Sequence, residues 1–225
     1  MKSTILYIAL IVTFFGCANG QSKSDMAMAK LPAPKAGEAI ANFAGGCFWA
    51  MSESMSELRG VNTVISGYEG GTTKNPTYED VCTKTTGHAE TVQVYYDPKI
   101  ISYEKLAEAF FYAHDPTDPG GQGPDRGDDY RSAAFYRTPE EKATLLEVIK
   151  SINASKHYKQ PIVTQVVPFT VFYPAEQYHQ GYYRLHINDM SGEFNSGYLR
   201  GVSEPKVIKM RAMEKAQLKP EFQKM

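Results

Sequence analysis

The sequence is poor in cysteine and tryptophan and carries no excess of either charge. Its 225 residues include three cysteines and one tryptophan, and the net charge is −1. This balance provides no electrostatic footprint for nucleic acid or for an anionic membrane surface. No metal site is predicted, because Cys82 and His88 lack further ligands at metal-binding spacing. With 42% hydrophobic and 22% charged residues, the chain can form one buried domain of about 170–190 residues plus extensions.

Hydrophobic runs long enough to span a bilayer are also absent. The apolar stretch Ile5–Phe15 follows Lys2 and is too short for a membrane helix. We therefore interpret residues 1–16 as a signal peptide and residues 17–37 as a flexible tether. The junction before Cys17 is similar to a lipoprotein cleavage site, and an ordinary cut after Gly20 is the alternative. Both place the protein outside the cytoplasm, in the periplasm or cell envelope, either lipid-anchored through Cys17 or secreted and soluble.

Removal of the leader leaves Cys47 and Cys82 in the mature domain. In an oxidising compartment two cysteines can form a disulfide. They can equally be one reactive and one buried thiol, and the residues alone leave both alternatives open.

Patterning along the chain predicts an α+β fold, with a mixed β-sheet covered by helices. Alternation predicts a strand over 88–97, and capping residues predict helices from Ser102 to His114 and from Thr138 to Ser155. A Gly/Pro/Asp-rich loop covers 115–129, and loops of this length in compact domains are often functional. Further strands are expected over 40–43, 62–68, 131–136 and 162–167, further helices follow Cys47 and cover 176–184, and the Lys-rich end after Pro205 is expected to be a solvated helix or tail.

Cys47 follows two glycines at the predicted start of a helix. The unpaired N–H groups and positive dipole end of a helix favour a thiolate over a thiol at that position. The single tryptophan, Trp49, comes two residues later and offers a large apolar face beside the thiol. A nucleophile is therefore one interpretation, and a buried structural cysteine in a tight turn is the other.

Glu90 is the second candidate for chemistry. It shares a strand face with Val92, Val94 and Tyr96, at the mouth of the strand. A carboxyl group at the edge of an apolar face loses solvation, which raises its pKa and lets it act as a general acid near neutral pH. The alternative is a strand-end glutamate that reaches water.

Motifs in a fixed order closely resemble the peptide-methionine (S)-sulfoxide reductases, the A class, over residues 38–215. The resemblance implies a two-layer, ferredoxin-like α/β sandwich over 38–205, followed by a Lys-rich helix or tail over 206–225. It also implies an enzyme that converts methionine-S-sulfoxide in peptides or proteins, or free, to methionine. The motifs are Gly45-Gly46-Cys47-Phe48-Trp49, Gly67-Tyr68-Glu69-Gly70-Gly71, Asn75-Pro76-Thr77-Tyr78, Gly87-His88-Ala89-Glu90, Tyr96-Asp97-Pro98, His114-Asp115-Pro116-Thr117, Tyr130-Arg131-Ser132 and Ala175-Glu176-Gln177-Tyr178-His179-Gln180.

The same resemblance implies a role for each site residue. Cys47 is the nucleophile that attacks the sulfoxide sulfur and becomes a sulfenic acid, and Glu90 protonates the oxygen. The other implied residues are Tyr78 and Tyr130, which hold the oxygen; Phe48 and Trp49, which receive the S-methyl group; Asp125, which lines the pocket; and His179 and Tyr182, at its rim.

Regeneration departs from the family pattern. Many members carry resolving cysteines in a glycine-rich C-terminal segment, whereas residues 191–198 contain none. Cys82 follows a predicted buried strand and matches a position regarded as structural. We therefore expect no bound cofactor and an external thiol, from a dithiol or a thioredoxin-like protein, as the reductant, with resolution by Cys82 as the alternative.

Two rival functions remain at this point. A Cys–His hydrolase would pair Cys47 with His179 or His88. A surface lipoprotein without activity would use the same pocket only to bind methionine-rich peptides.

Overall fold

The computed structural model describes residues 24–224. The predicted signal peptide and the predicted lipidation site at Cys17 lie outside the described residues. Within them, no helix has both the length and the apolar character needed to cross a membrane.

A six-stranded sheet forms the centre of the described structure. In chain order, the described residues form the strands β1 (Ala39–Gly45), β2 (Val61–Glu69), β3 (Ala89–Tyr96), β4 (Gly121–Gln122), β5 (Asp125–Arg126), β6 (Ser132–Tyr136), β7 (Gln165–Pro168) and β8 (Phe172–Pro174), of which all but β4 and β5 belong to this sheet. The helices are α1 (Phe48–Ser56), α2 (Tyr78–Cys82), α3 (Tyr103–Tyr112), α4 (Pro139–Ser155), α5 (Tyr182–His186), α6 (Ser196–Tyr198) and α7 (Glu204–Met213). Strands β4 and β5 form a separate hairpin in the predicted 115–129 loop.

The large sheet has the strand order β7-β6-β1-β3-β2-β8. Only the β6–β7 pair is parallel, and the other pairs in this sheet are antiparallel. The chain order β1-α1-β2-β3-α3-β6 with β1 and β3 at the centre is the split βαβ arrangement of ferredoxin-like folds. The α+β prediction with a mixed sheet is confirmed.

Local capping chemistry explains the helix boundaries. The Ser102 hydroxyl accepts from the N–H of Lys105, and the Thr138 hydroxyl accepts from the N–H of Glu141. Each satisfies an N–H group that has no partner within its helix. The expected starts of α3 and α4 are therefore confirmed.

Two expectations about secondary structure were wrong. Cys82 does not follow a buried strand: it ends helix α2, which a Thr77 capping box begins, and it is exposed. The helix expected over 176–184 is interrupted, because Gly181 has φ +65° and separates the Gln177–His179 turn from α5. A single glycine in the left-handed region stops a helix that apolar spacing alone would continue.

The core lies between the sheet and helices α1 and α3. Phe43 of β1 stacks on Phe110 of α3 with ring centroids 4.7 Å apart. Val92 and Val94 of β3 point to the same side and are fully buried. Strand β3 is buried along its whole length, so a polar side chain on it is cut off from water.

The chain's two ends, as far as the structure describes them, pack on this domain. The N–H of Ala29 donates to the carbonyl of Ala175 at 2.9 Å, so part of the expected tether lies along the 175–177 segment. Helix α7 runs through the expected boundary at residue 205 and buries Val207 and Met210. The Lys-rich end is therefore part of the packed structure.

Helix α1 is anchored at its C-terminal end by these last residues. Arg211 donates two hydrogen bonds, of 2.6 and 2.8 Å, to the fully buried carboxylate of Glu57. The ammonium group of Lys219 donates to the carbonyl of Ser56 at 2.7 Å. A cation at a helix C-terminus is favourable, because the terminal carbonyls carry partial negative charge.

Replacing Arg211 by alanine should lower the free energy of unfolding by about 3–5 kcal/mol, because it leaves the Glu57 carboxylate buried without a partner. Urea unfolding measures this change. The control is Lys150→Ala, which removes the exposed ion pair with Glu147 and should cost less than about 0.5 kcal/mol. Equal effects of the two changes would contradict the anchoring role.

Candidate active site

Cys47 sits immediately before the first residue of α1 and is 5% exposed. Gly46 adopts φ +81°, a conformation that side chains disfavour. A Cβ on Gly45 would lie 2.3 Å from the terminal carbon of Met51. Gly46 is therefore the glycine that this turn requires, while Gly45 leaves room for the Met51 and His114 side chains.

Glu90 reaches the start of α1 from the central sheet. Its carboxyl group on β3 accepts a 2.8 Å hydrogen bond from the N–H of Phe48, the first residue of α1. The residue is 4% exposed. Burial raises the pKa of Glu90 to about 8, with Asp129 and Asp125 acting in the same direction and the Phe48 N–H and Lys206 opposing them. A carboxyl that holds its proton at neutral pH is suited to be a general acid.

The thiol of Cys47 does not have the lowered pKa that its helix position predicted. Burial raises the pKa well above the ordinary cysteine value, and the charge of Glu90 adds to this effect. The Tyr198 hydroxyl, the Trp49 N–H and Lys206 oppose the rise. Glu90 already occupies the Phe48 N–H, so the helix start stabilises a thiolate less than the sequence pattern suggested.

A cavity of about 190 Å³ opens beside these two groups. Its lining consists of Cys47, Trp49, Tyr78, Glu90, Tyr130, Asn195 and Tyr198. Burial raises the pKa of both Tyr78 and Tyr130, with the charge of Glu90 as the next cause. The two hydroxyls therefore stay protonated and can donate hydrogen bonds to an oxygen in the cavity.

Aromatic rings form one wall of this cavity. Trp49 stacks on Tyr182 with ring centroids 3.9 Å apart, and its indole N–H donates to Nδ1 of His179 at 3.1 Å. Phe48 is not among the lining side chains: it is 1% exposed and packs against Tyr68 and His179. Trp49 thus faces the cavity, while Phe48, His179 and Tyr182 hold it in place.

Glu176 connects Tyr78, which lines the cavity, to Tyr68 and His179, which pack behind the aromatic wall. Its carboxylate accepts from the Tyr68 hydroxyl at 3.0 Å and from the N–H of Tyr78 at 2.8 Å. Tyr78 is the first residue of α2. Burial lowers the pKa of His179 to about 3, so its ring is neutral between Trp49 and Glu176.

The C-terminal segment contributes three residues to the site that sequence reasoning missed. Asn195 and Tyr198 line the cavity, and Lys206 approaches it from α7. The Tyr198 hydroxyl donates to Asp125 at 2.7 Å, so the expected pocket carboxylate is joined to the cavity through this tyrosine. No periodicity marks these positions, and the segment drew attention only for its lack of cysteine.

The geometry does not support a Cys–His pair. His88 accepts from the N–H of Gly71 and its other nitrogen bonds the carbonyl of Thr73. His179 is engaged by Trp49. Neither histidine lines the cavity that contains Cys47. Within residues 24–224, no cluster of three or more His, Cys, Asp or Glu side chains is placed to hold a metal ion.

Comparison with known proteins identifies the family. Residues 39–206 match the family model described as peptide methionine sulfoxide reductase. The chain belongs to this family. It is 51% identical over 144 residues to the peptide methionine sulfoxide reductase MsrA of Acidobacterium capsulatum, covering 64% of this chain and 92% of that protein. It is 44% identical over 183 residues to MsrA of Thermus thermophilus, covering 81% and 99%.

Solved structures agree with the assignment. Reduced Mxr1 from Saccharomyces cerevisiae superposes with a TM-score of 0.66 at 28% identity, over 74% of this chain and 95% of that chain. Methionine sulfoxide reductase A of Corynebacterium diphtheriae gives a TM-score of 0.61 at 27% identity, over 74% and 90%. The resemblance and the oxidoreductase class predicted from the motifs are confirmed, and a non-enzymatic lipoprotein is not supported.

The raised pKa of Glu90 predicts a specific dependence of stability on pH. The folded protein holds this proton more tightly than the unfolded chain does, because the pKa rises from 4.5 to about 8. Its contribution to stability is therefore present below about pH 4.5 and is lost as the pH rises through about 8.

Between about pH 5 and pH 8.5 the protein should lose a few kcal/mol more stability than its Glu90→Gln variant. Urea unfolding of both proteins at the two pH values measures this difference. Carboxyls that do not interact with Glu90 titrate equally in both proteins, and their effects cancel. A difference between the two proteins that stays constant with pH would contradict the raised pKa.

Proposed function

We propose that this member of the family reduces methionine-S-sulfoxide in peptides and proteins to methionine, with Cys47 as nucleophile and Glu90 as acid. The observation that carries the proposal is the hydrogen bond of 2.8 Å from the Phe48 N–H to Glu90. It places a buried carboxyl with a pKa of about 8 next to Cys47 at the wall of one cavity.

The first step, reduction of the sulfoxide, uses only Cys47 and Glu90. The Cys47 sulfur attacks the sulfoxide sulfur while Glu90 gives its proton to the sulfoxide oxygen. The oxygen then passes to the Cys47 sulfur as the S–O bond of the substrate and the transient bond between the two sulfur atoms break, which yields methionine and a sulfenic acid. The thiol proton of Cys47 returns to Glu90, so the acid is restored. The substrate sulfur is reduced and the cysteine sulfur is oxidised.

The remaining lining groups fit the substrate's other atoms. The hydroxyls of Tyr78 and Tyr130 are preorganised donors for an oxygen that gains negative charge, and such donors stabilise the transition state. Trp49 offers an aromatic face to the S-methyl group, and sulfur–aromatic contacts contribute about 0.3–1.5 kcal/mol each. Phe48, His179 and Tyr182 support this face, and Asp125 acts through Tyr198.

An external thiol completes the cycle in this proposal. Among the described residues Cys47 and Cys82 are the cysteines, and both are free. The segment that covers the cavity contributes Asn195 and Tyr198 and contains no cysteine. One thiol of a thioredoxin-like protein or a dithiol would attack the sulfenic acid, release water and form a mixed disulfide with Cys47. The second thiol of the reductant would then break this disulfide and restore the Cys47 thiol.

Cys82 is the alternative resolving thiol, and one observation favours it. It follows Tyr78 by one turn of α2, so both residues share a helix face. The Tyr78 hydroxyl lowers the pKa of the Cys82 thiol against the effect of burial, and Tyr78 also lines the cavity with Cys47.

The cellular setting is part of the proposal. A signal peptide with lipidation at Cys17 would anchor the enzyme in the cell envelope, where oxidised envelope proteins are its substrates. The reductant must then be available outside the cytoplasm.

Reduced protein mixed with a peptide of defined methionine-S-sulfoxide should form methionine in a single turnover, whereas the R epimer should not react. Glu90→Gln should slow this turnover by about 10²–10⁴-fold, because amide nitrogen cannot supply the proton. Quantification of methionine by rapid quench measures both effects. Absence of product from the S epimer, or equal rates for the two epimers, would contradict the proposal.

Cys82→Ser separates the two regeneration routes. With an external thiol, the first turnover should consume one thiol per methionine and leave a sulfenic acid that a dimedone probe labels on Cys47. Turnover with a thioredoxin system should then be the same for Cys82→Ser and the unaltered protein. Loss of two thiols and an intramolecular disulfide in the unaltered protein would assign resolution to Cys82.

A further inference from the structure

The hydroxyl of Tyr198 acts on two groups at the site. It donates a hydrogen bond of 2.7 Å to Oδ2 of Asp125. Tyr198 lines the same cavity as Cys47, and its hydroxyl lowers the pKa of that thiol against the effect of burial. The Tyr198 ring meets Trp49 edge-on, with centroids 5.9 Å apart and planes at 84°, so the hydroxyl is held at this point by packing.

Lys206 brings a positive charge to the same place. Its ammonium group lies 3.5 Å from Oδ2 of Asp125, and its side chain is 15% exposed. A Cβ placed on Gly46, the residue before the nucleophile, would be 3.6 Å from Nζ of Lys206. A charge this close to Cys47 and largely shielded from water is screened little by solvent.

A tyrosine hydroxyl has one proton to donate. While Cys47 is a neutral thiol, Tyr198 gives this proton to Asp125 and can accept from the thiol. When Cys47 ionises, the hydroxyl can turn toward the sulfur, and Lys206 remains to pair with Asp125. Hydrogen bonds to an ionised acceptor are about twice as strong as neutral ones, so the exchange favours the thiolate.

We propose that Tyr198 is a further catalytic residue, donating to the Cys47 thiolate during attack on the sulfoxide, and that Lys206 is a positioning residue that frees this hydroxyl by neutralising Asp125. The inference rests on the proposed function and deepens it. The C-terminal segment, which supplies no resolving cysteine, thereby serves the attack step.

The test measures ionisation of Cys47 directly. Each protein is alkylated with iodoacetamide over a range of pH, and mass spectrometry follows the peptide that contains Cys47, which keeps Cys82 out of the signal. Tyr198→Phe and Lys206→Met should each move the midpoint of the alkylation profile upward by about one pH unit. Each should also slow single-turnover methionine formation about tenfold or more, since one charge-assisted interaction is lost.

Asp125→Asn should shift the midpoint of the alkylation profile in the opposite direction. An amide competes less strongly than a carboxylate for the Tyr198 hydroxyl, so the midpoint should move downward. General damage to packing would not raise the midpoint of the alkylation profile in Tyr198→Phe and Lys206→Met while lowering it in Asp125→Asn. Thermal unfolding followed by circular dichroism verifies that each variant is folded.

Tyr183→Phe is the matched control. Tyr183 is a buried tyrosine of α5 that does not line the cavity, and its loss should leave the alkylation profile and the turnover unchanged. An unchanged profile in Tyr198→Phe would overturn the inference while methionine formation by the unaltered protein still supported the reductase. A shift of the same size in Tyr183→Phe would also overturn it.

Discussion

A carboxyl group buried against the first N–H of a helix is the constraint on which this site depends. Glu90 lies on a strand that is buried along its length, and its hydrogen bond to Phe48 fixes the start of α1 relative to the sheet. Cys47 precedes that N–H, so the same contact sets the position of the nucleophile. Burial makes the charged form of Glu90 costly, and the group keeps a proton that the chemistry can use.

The C-terminal half of helix α1 is held to the rest of the domain by charged side chains. Glu53 lies on α1 and Glu57 directly follows its last residue, and Arg184 and Arg211 pair with them at 2.9 and 2.6 Å. The Lys219 ammonium group donates to the carbonyl of Ser56, the last residue of the helix. Helix α1 is thus held by the hydrogen bond to Glu90 at its start and by ion pairs and the Lys219 ammonium group toward its end. A rigid helix of this kind positions a nucleophile better than a loop does.

The sequence predicted those parts of the site that depend on local patterns. The Gly45-Gly46-Cys47 junction, the alternation that puts Glu90 on the core face, and the caps at Ser102 and Thr138 are all readable from neighbours in the chain. Contacts between distant segments were not readable. Tyr198 and Lys206 reach Cys47 through tertiary packing, and no spacing signals that approach.

Where local rules failed, a competing physical term explains the failure. The helix start should have lowered the pKa of Cys47, but dehydration and Glu90 outweigh the dipole. Cys82 was expected to follow a buried strand, whereas the Thr77 cap begins a short helix there and leaves the thiol exposed. In both cases the tertiary environment overrides the local pattern.

Infrared difference spectroscopy of the carboxyl groups tests the central claim most directly, by comparing the protein with its Glu90→Gln variant as the pH is raised. The account predicts a protonated carboxyl band at neutral pH, assigned to Glu90 by its absence in the variant, which disappears with a midpoint near 8. An ionised Glu90 at neutral pH, with no such band in the difference spectrum, would contradict the account.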